Sequence, residues 1–213
     1  MEKNKKIDTY KSDDIKNFWN NYYSNKKSTF TNSPFSKFVK PYLNENSSII
    51  DLGCGDGRDA IYFAKNKIYT HGVDMSKKAI EINKKYENKF LKFTLLDLKD
   101  LKSIHDIYDF AYCRFLFHSI NEKIEDNILI WMSNNIKNQI FIETRISDEK
   151  LINAELNHYR RFFKEEDFKN KLNSLGFEII YSKASKNFSR YKKIYNATDL
   201  KHDPLLLRMI ISK

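Results

Sequence analysis

Between Ser48 and Ala64 the chain reads Ser-Ile-Ile-Asp-Leu-Gly-Cys-Gly-Asp-Gly-Arg-Asp-Ala-Ile-Tyr-Phe-Ala. Ile49, Ile50 and Leu52 form an apolar run of strand length. Ala60, Ile61, Phe63 and Ala64 then recur at helical spacing. Three glycines, Gly53, Gly55 and Gly57, separate the two, so the stretch predicts a buried strand, a tight turn and a helix. Glycines let the backbone of such a turn lie close against a ligand, where a Cβ would intrude. Asp51 closes the strand with a carboxylate aimed at the same crevice. In an open α/β sheet, ligands bind outside the carboxyl ends of the strands, which is where this turn sits.

Two nucleotide-type ligands compete for a turn of this kind. The dinucleotide fingerprint G-x-G-x-x-G requires a third small residue at position 58, which is Arg58. The spacing present, D-x-G-x-G-x-G over Asp51 to Gly57, resembles the first motif of class I S-adenosylmethionine (SAM) methyltransferases, and the likeness extends from about Ser48 to Ile142. It implies that Asp51 and the turn backbone (Gly53, Cys54, Gly55) hold the amino-acid end of SAM, and Arg58 and Cys113 are expected among the cofactor-binding residues. An N-terminal tyrosine, Tyr22 or Tyr23, closes over the cofactor in many small-molecule members.

The 213 residues fit one domain, with a core between a sheet and helices on both faces. A hydrophobic content of 41% and an aromatic content of 15% exclude a disordered chain. The net charge of +10 comes mostly from lysines scattered along the whole length, so it points to nucleic acid less than a concentrated patch would. Cys54 and Cys113 are the only cysteines and lack metal-ligand spacing, which fits a reduced, cytoplasmic setting without a metal. No run is apolar enough to span a membrane, and the polar start Met1 to Lys6 is unlike a signal peptide.

Taken in order, residues 1–45 read as a helical lead-in or cap, 46–145 as the cofactor-binding core, and 146–213 as an acceptor-side insertion with a helix and the terminal strands. In the lead-in, Phe18, Trp19, Tyr22 and Tyr23 cluster, and Ser33-Pro34 has the form of a helix N-cap followed by proline at the first helical position. Further strands are expected at Ile68–Val73, Phe90–Leu96, Tyr108–Cys113 and Gln139–Thr144. A helix from Glu165 to Leu175 should stop at Gly176. Phe177–Ser182 and Leu205–Ile211 should then pair antiparallel through a long connection. Alternating strands and helices predict a doubly wound, mostly parallel seven-stranded sheet of the Rossmann-like methyltransferase type with an N-terminal helical cap. Asp74, some twenty residues past the glycine turn, lies where such folds place an acid for ribose hydroxyls; Ser76 could cap the following helix without it. By the resemblance, Met75 lies against adenine, while Asp97 and Leu98 serve its amino group and ring.

The segments after the fourth and fifth strands carry Arg114, His118, Glu143 and Arg145, and the insertion adds His158, Tyr159, Arg160 and Arg161. Only seven arginines occur beside many lysines. Where lysine is the default cation, arginine suggests that a planar, bidentate donor is needed, as for phosphate or carboxylate. Structural ion pairs with Glu143, Asp148 or Glu155 are the competing reading. Methyl transfer is an in-line displacement that gains mainly from alignment. An anionic acceptor needs no base, whereas a sugar hydroxyl does, with His118 and then His158 available. Together with Asp203-Pro204 and Arg208, these residues resemble a bacterial subgroup found with surface-polysaccharide genes, including enzymes proposed to methylate capsular phosphoramidate. The lysine-rich segment 183–193 and the missing glycine before the fifth strand depart from that subgroup. The expectation is SAM-dependent O-methylation of a small anionic or sugar-nucleotide acceptor. The alternatives are a nucleic-acid methyltransferase, which lacks its usual Asn/Asp-Pro-Pro-aromatic signature at Cys113-Arg114-Phe115-Leu116, and a SAM-binding module with a decayed site.

Overall fold

A computed structural model describes residues 12–26, 31–147, 160–161, 163–188 and 204–213. Seven strands form one sheet: β1 (Ser48–Leu52), β2 (Tyr69–Asp74), β3 (Leu91–Leu95), β4 (Tyr108–Arg114), β5 (Ile136–Arg145), β6 (Glu178–Ser185) and β7 (Leu206–Ser212). Their spatial order is β3-β2-β1-β4-β5-β7-β6. The sheet is mixed. The first five strands pair parallel, and β7 runs antiparallel to both β5 and β6. The expected antiparallel partnership of the last two strands is present, but β7 also inserts beside β5, leaving β6 at the edge.

Side chains alternate along each strand and sort the core into two faces. Ile49, Phe110, Tyr112, Phe141 and Ile210 pack with Phe35, Val39 and Phe63 on one side. Ile50, Ala111, Cys113, Ile140, Ile142 and Met209 pack with Ile128, Met132, Phe168 and Leu172 on the other. The helices of the first face are α2 (Pro34–Val39) and α3 (Arg58–Lys65); those of the second are α5 (Glu122–Asn135) and α6 (Glu165–Ser174). Each fully buried Ile, Leu or Phe contributes roughly 1.5–3 kcal/mol. α4 (Lys77–Lys84) covers β2 and β3 through Ile80, with Ala60, Leu91 and Phe93.

Caps set the helix starts. The hydroxyl of Ser33 accepts the Ser36 N–H at α2, Ser76 accepts from Ala79 at α4, and the Asn121 side chain accepts from Ile124 at α5. Pro34 occupies the first turn of α2, as its fixed φ favours. α6 lacks a side-chain cap but opens with Glu165, Glu166 and Asp167 against the positive end of its dipole. It stops at Gly176, whose φ is +79°.

Ahead of the sheet, α1 (Ser12–Asn25) lies along α4. Asn20 Oδ1 accepts the Ser76 hydroxyl at 2.9 Å and the Lys78 N–H at 3.2 Å. Lys16 pairs with Asp97 at 3.4 Å, and Lys26 with Asp56 at 2.9 Å. These contacts bring the aromatic residues of α1 over the carboxyl ends of β1 and β2. No helix among the described residues is long and apolar enough to cross a membrane.

Candidate active site

The glycine turn after β1 is held by β2. The Gly53 and Cys54 N–H groups donate to the Val73 carbonyl at 2.9 and 3.0 Å, and the Gly55 N–H donates to the Asp74 carboxylate at 2.9 Å. The other Asp74 oxygen takes the Ser76 N–H at 2.8 Å. Asn83, fully buried on α4, donates to the Gly55 carbonyl at 2.8 Å. Gly55 has φ +55°, and a Cβ there would come within 2.3 Å of the Tyr23 hydroxyl. Only glycine lets the Tyr23 ring lie that close to the turn.

Above the turn is a cavity of about 840 Å³, in the upper part of the range for small-molecule sites. Its walls come from α1, the turn, the ends of β2 and β4, the start of α5, and Arg145 and Arg160. Of the residues expected to hold a cofactor, Tyr23, Asp51, Gly53, Cys54, Gly55, Arg58, Asp74, Met75, Asp97 and Leu98 all line it. Cys113 does not: its alternate position on β4 turns it into the α5 face, where it is fully buried. Asp97 also accepts the Lys99 N–H at 3.2 Å, so it caps its own turn while facing the cavity.

The carboxylates are electrostatically unequal. Asp51 is nearly inaccessible, at 3% exposure. Burial, then the charges of Asp59 and Asp74, push its pKa well above the ordinary carboxylate value, against a partial counterweight from Arg114. Burial also raises Asp74, in spite of its backbone hydrogen bonds. Asp59 goes the other way. Burial alone would raise it, but Arg114, Arg58 and the hydrogen bonds from Ser33 hold it below the usual value. It takes the Ser33 N–H at 2.6 Å, the Ser33 hydroxyl at 2.8 Å and the Tyr112 hydroxyl at 2.8 Å. Burial and the carboxylates of Asp74 and Asp56 raise the Tyr23 phenol well above its normal value. The turn side of the cavity is thus an acidic pole suited to a cation.

Arg114, Arg145, Arg160 and His118 also line the cavity, with Arg114 near enough to act on Asp59 and Asp51. Register places Arg114, Glu143 and Arg208 side by side across β4, β5 and β7. Glu143 accepts Arg114 Nε at 2.9 Å with one oxygen and Arg208 Nε at 2.6 Å with the other. Glu143 itself is almost fully buried and does not reach the cavity wall, so it acts on the site through Arg114. Arg161 is likewise outside the lining and pairs with Glu122 and Glu125 of α5. His158 and Tyr159 lie outside the described residues. His118 is buried, and its Nδ1 accepts the Arg145 N–H at 3.4 Å. The same nitrogen lies 3.3 Å from the Thr144 hydroxyl. Among the described residues no three His, Cys, Asp or Glu side chains are placed to hold a metal.

Several wall residues escaped sequence reasoning as site residues. Lys26 and Phe115 are among them, as are Asp59 and Tyr112. Lys26 had no local signal. Asp59 reads in sequence as an ordinary first-turn helix acid, and its three buried donors come from positions 33 and 112.

Residues 31–182 match the family of methyltransferase domains, and this chain belongs to that family. No curated protein sequence matches it. Among solved structures it is similar to the 1,6-didemethyltoxoflavin N1-methyltransferase of Burkholderia thailandensis, which was crystallised with 1,6-didemethyltoxoflavin and S-adenosylhomocysteine. There the TM-score is 0.67 at 18% identity, covering 84% of this chain and 76% of that one. A SAM-dependent methyltransferase of Anabaena variabilis gives 0.67 at 18%, over 94% and 93% of the two chains. The [4+2]-cyclase SpnF gives 0.70 at 14%, over 94% and 93%. At such identities the likeness shows the fold. Because a cyclase shares it, the reaction has to be argued from the site.

Proposed function

We propose that the chain is a SAM-dependent methyltransferase acting on an oxygen of a small anionic acceptor, a phosphate- or phosphoramidate-type group or a sugar nucleotide, in bacterial surface-polysaccharide synthesis. The observation that carries the cofactor assignment is the left-handed glycine turn at Gly55, which lines the cavity beside the buried carboxyl of Asp51. SAM is cationic at its sulfonium and ammonium groups, and the acidic pole of Asp51 and Asp74 suits both. The amino-acid end would rest on Asp51, the Gly53–Gly55 backbone, Cys54 and Arg58. Asp74 would serve the ribose, and Met75, Asp97 and Leu98 the adenine. α1 would act as the helical cap, with Tyr23 closing over the turn. When bound, the cofactor supplies an electrophilic methyl group.

The protein's part is alignment and charge. Arg114, Arg145 and Arg160 in the lining favour an anionic acceptor, which complements the cationic methyl donor. An acceptor already ionised requires no base; for a hydroxyl acceptor His118, in the same lining, would be the base. The same reading places the enzyme in the cytoplasm, on soluble precursors rather than nucleic acid.

Calorimetric titration with SAM, S-adenosylhomocysteine and NAD tests the cofactor. Micromolar binding of the first two and none of NAD is expected. A panel of phosphorylated metabolites and sugar nucleotides, with S-adenosylhomocysteine present, tests the acceptor. Absence of SAM binding by the folded protein would overturn the assignment.

A further inference from the structure

Phe115 stands in a conformation that disfavours it. It follows Arg114 at the end of β4, and its φ of +59° puts a bulky side chain in the left-handed region. Such strain persists only where the surroundings impose it, and it gathers at ligand sites. Here the Phe115 N–H is tied to the Glu143 carbonyl at 2.7 Å, which directs the ring into the cavity wall. Two guanidinium groups lie over that ring, Arg114 with Cζ at 4.0 Å from its centroid and Arg145 at 5.6 Å. His118 meets it edge-on at 5.7 Å.

Arg114 and Arg208 share the single carboxylate of Glu143, and Arg114 also acts on the carboxylates of Asp59 and Asp51, so the cation at the ring without a counter-charge is Arg145. Arg145 makes no ion pair with any described residue, and its Nε is buried without a hydrogen-bond partner. A buried guanidinium N–H left unbonded is costly, and an incoming anion removes that cost. The ring face attracts both cations and holds them near one another in advance of the ligand.

We propose that Phe115 is a positioning residue: its strained backbone and its ring seat Arg114 and Arg145 as a paired clamp for an oxyanion of the acceptor, phosphoryl or carboxylate. The word acceptor rests on the methyltransferase reading; the anion clamp is measurable without it.

The test is calorimetric titration with inorganic phosphate and, separately, acetate, using protein saturated with S-adenosylhomocysteine. Wild type, Phe115→Leu, Phe115→Tyr and Phe115→Gly are compared. Wild type should bind at least one anion; preference for phosphate names a phosphoryl group, and preference for acetate a carboxylate. Phe115→Leu should weaken anion binding about tenfold, as expected for two lost cation–π contacts, and leave the affinity for S-adenosylhomocysteine unchanged. Phe115→Tyr should restore it. Phe115→Gly relieves the backbone and should melt no lower than wild type, yet bind anion no better than Phe115→Leu. Wild-type anion affinity in Phe115→Leu would overturn the proposal. So would phosphate that expels S-adenosylhomocysteine, because the clamp would then belong to the cofactor's carboxylate. If S-adenosylhomocysteine does not bind but the Phe115 variants still lose anion affinity, the clamp stands and the methyltransferase reading falls.

Discussion

Gly55→Ala separates two costs that the structure places at one residue. The first is backbone strain: at φ +55° an L residue loses roughly 1–2 kcal/mol relative to glycine. For a chain of this size that corresponds to a Tm lower by about 2–8 °C. The second is steric. The new Cβ would lie 2.3 Å from the Tyr23 hydroxyl and 3.1 Å from its Cζ, so the ring must leave the turn. Removing the ring by Tyr23→Ala abolishes the second cost and leaves the first. A double-mutant cycle by differential scanning calorimetry should therefore show Gly55→Ala costing more in the wild-type background than in Tyr23→Ala. Affinity for S-adenosylhomocysteine should fall in both backgrounds, because the methyl group intrudes on the turn that lines the cavity. Equal thermal costs in the two backgrounds would refute the placement of Tyr23 over the turn. A cost near zero in both would refute the left-handed turn itself.

The other perturbations address charge. Asp51→Asn should raise the Tm of the ligand-free protein at neutral pH while weakening SAM binding, since a carboxyl with a raised pKa destabilises the fold above the unfolded value; a lower Tm would contradict this. Burial holds the His71 ring at about 4. Because the unfolded chain takes up that proton first, stability should fall as pH drops from about 6.5 to 4, by up to about 3 kcal/mol, and His71→Gln should flatten that limb of the Tm–pH curve. Glu143→Gln leaves two buried guanidinium groups without their counter-charge and should cost about 3–5 kcal/mol in chemical denaturation. Arg145→Lys should leave stability within about 0.5 kcal/mol and raise the acceptor KM with SAM affinity unchanged. Wild-type kinetics would remove Arg145 from the site.

The parts of the fold legible in sequence are those with local causes. Ser33-Pro34, Ser76 and Gly176 each fix a helix end through their own hydrogen bond or dihedral. Near-continuous apolar runs mark the central strands because the sheet is covered on both faces. The insertion of β7 between β5 and β6 depends on pairings more than twenty residues apart, which periodicity does not report. The site divides in the same way. The turn residues Asp51 to Gly57 announce themselves, since one short segment must supply both the acid and the backbone surface. Cys113 was misplaced because its neighbours at the strand end face the cavity, and only register decides which way an alternating residue points. Arg161 had the composition of a ligand-binding arginine, and the carboxylates of Glu122 and Glu125 that take it lie on another element. The left-handed φ of Phe115 has no sequence signal.

The place of β7 also bears on synthesis. Of the seven described strands it is the last to leave the ribosome, yet it forms the junction between β5 and β6. Until it emerges, the β5 edge, with Phe141 and Ile142, presents open backbone donors and acceptors, and β6 has no sheet to join. Glu143 meanwhile has one of its two arginines missing, because Arg208 arrives on that same strand. The sheet and the charge network around Glu143 are therefore completed in one late, long-range step, the kind that makes folding slow and leaves a nascent chain open to aggregation. A stalled chain ending before Leu206 would carry a finished cofactor turn on an unfinished domain.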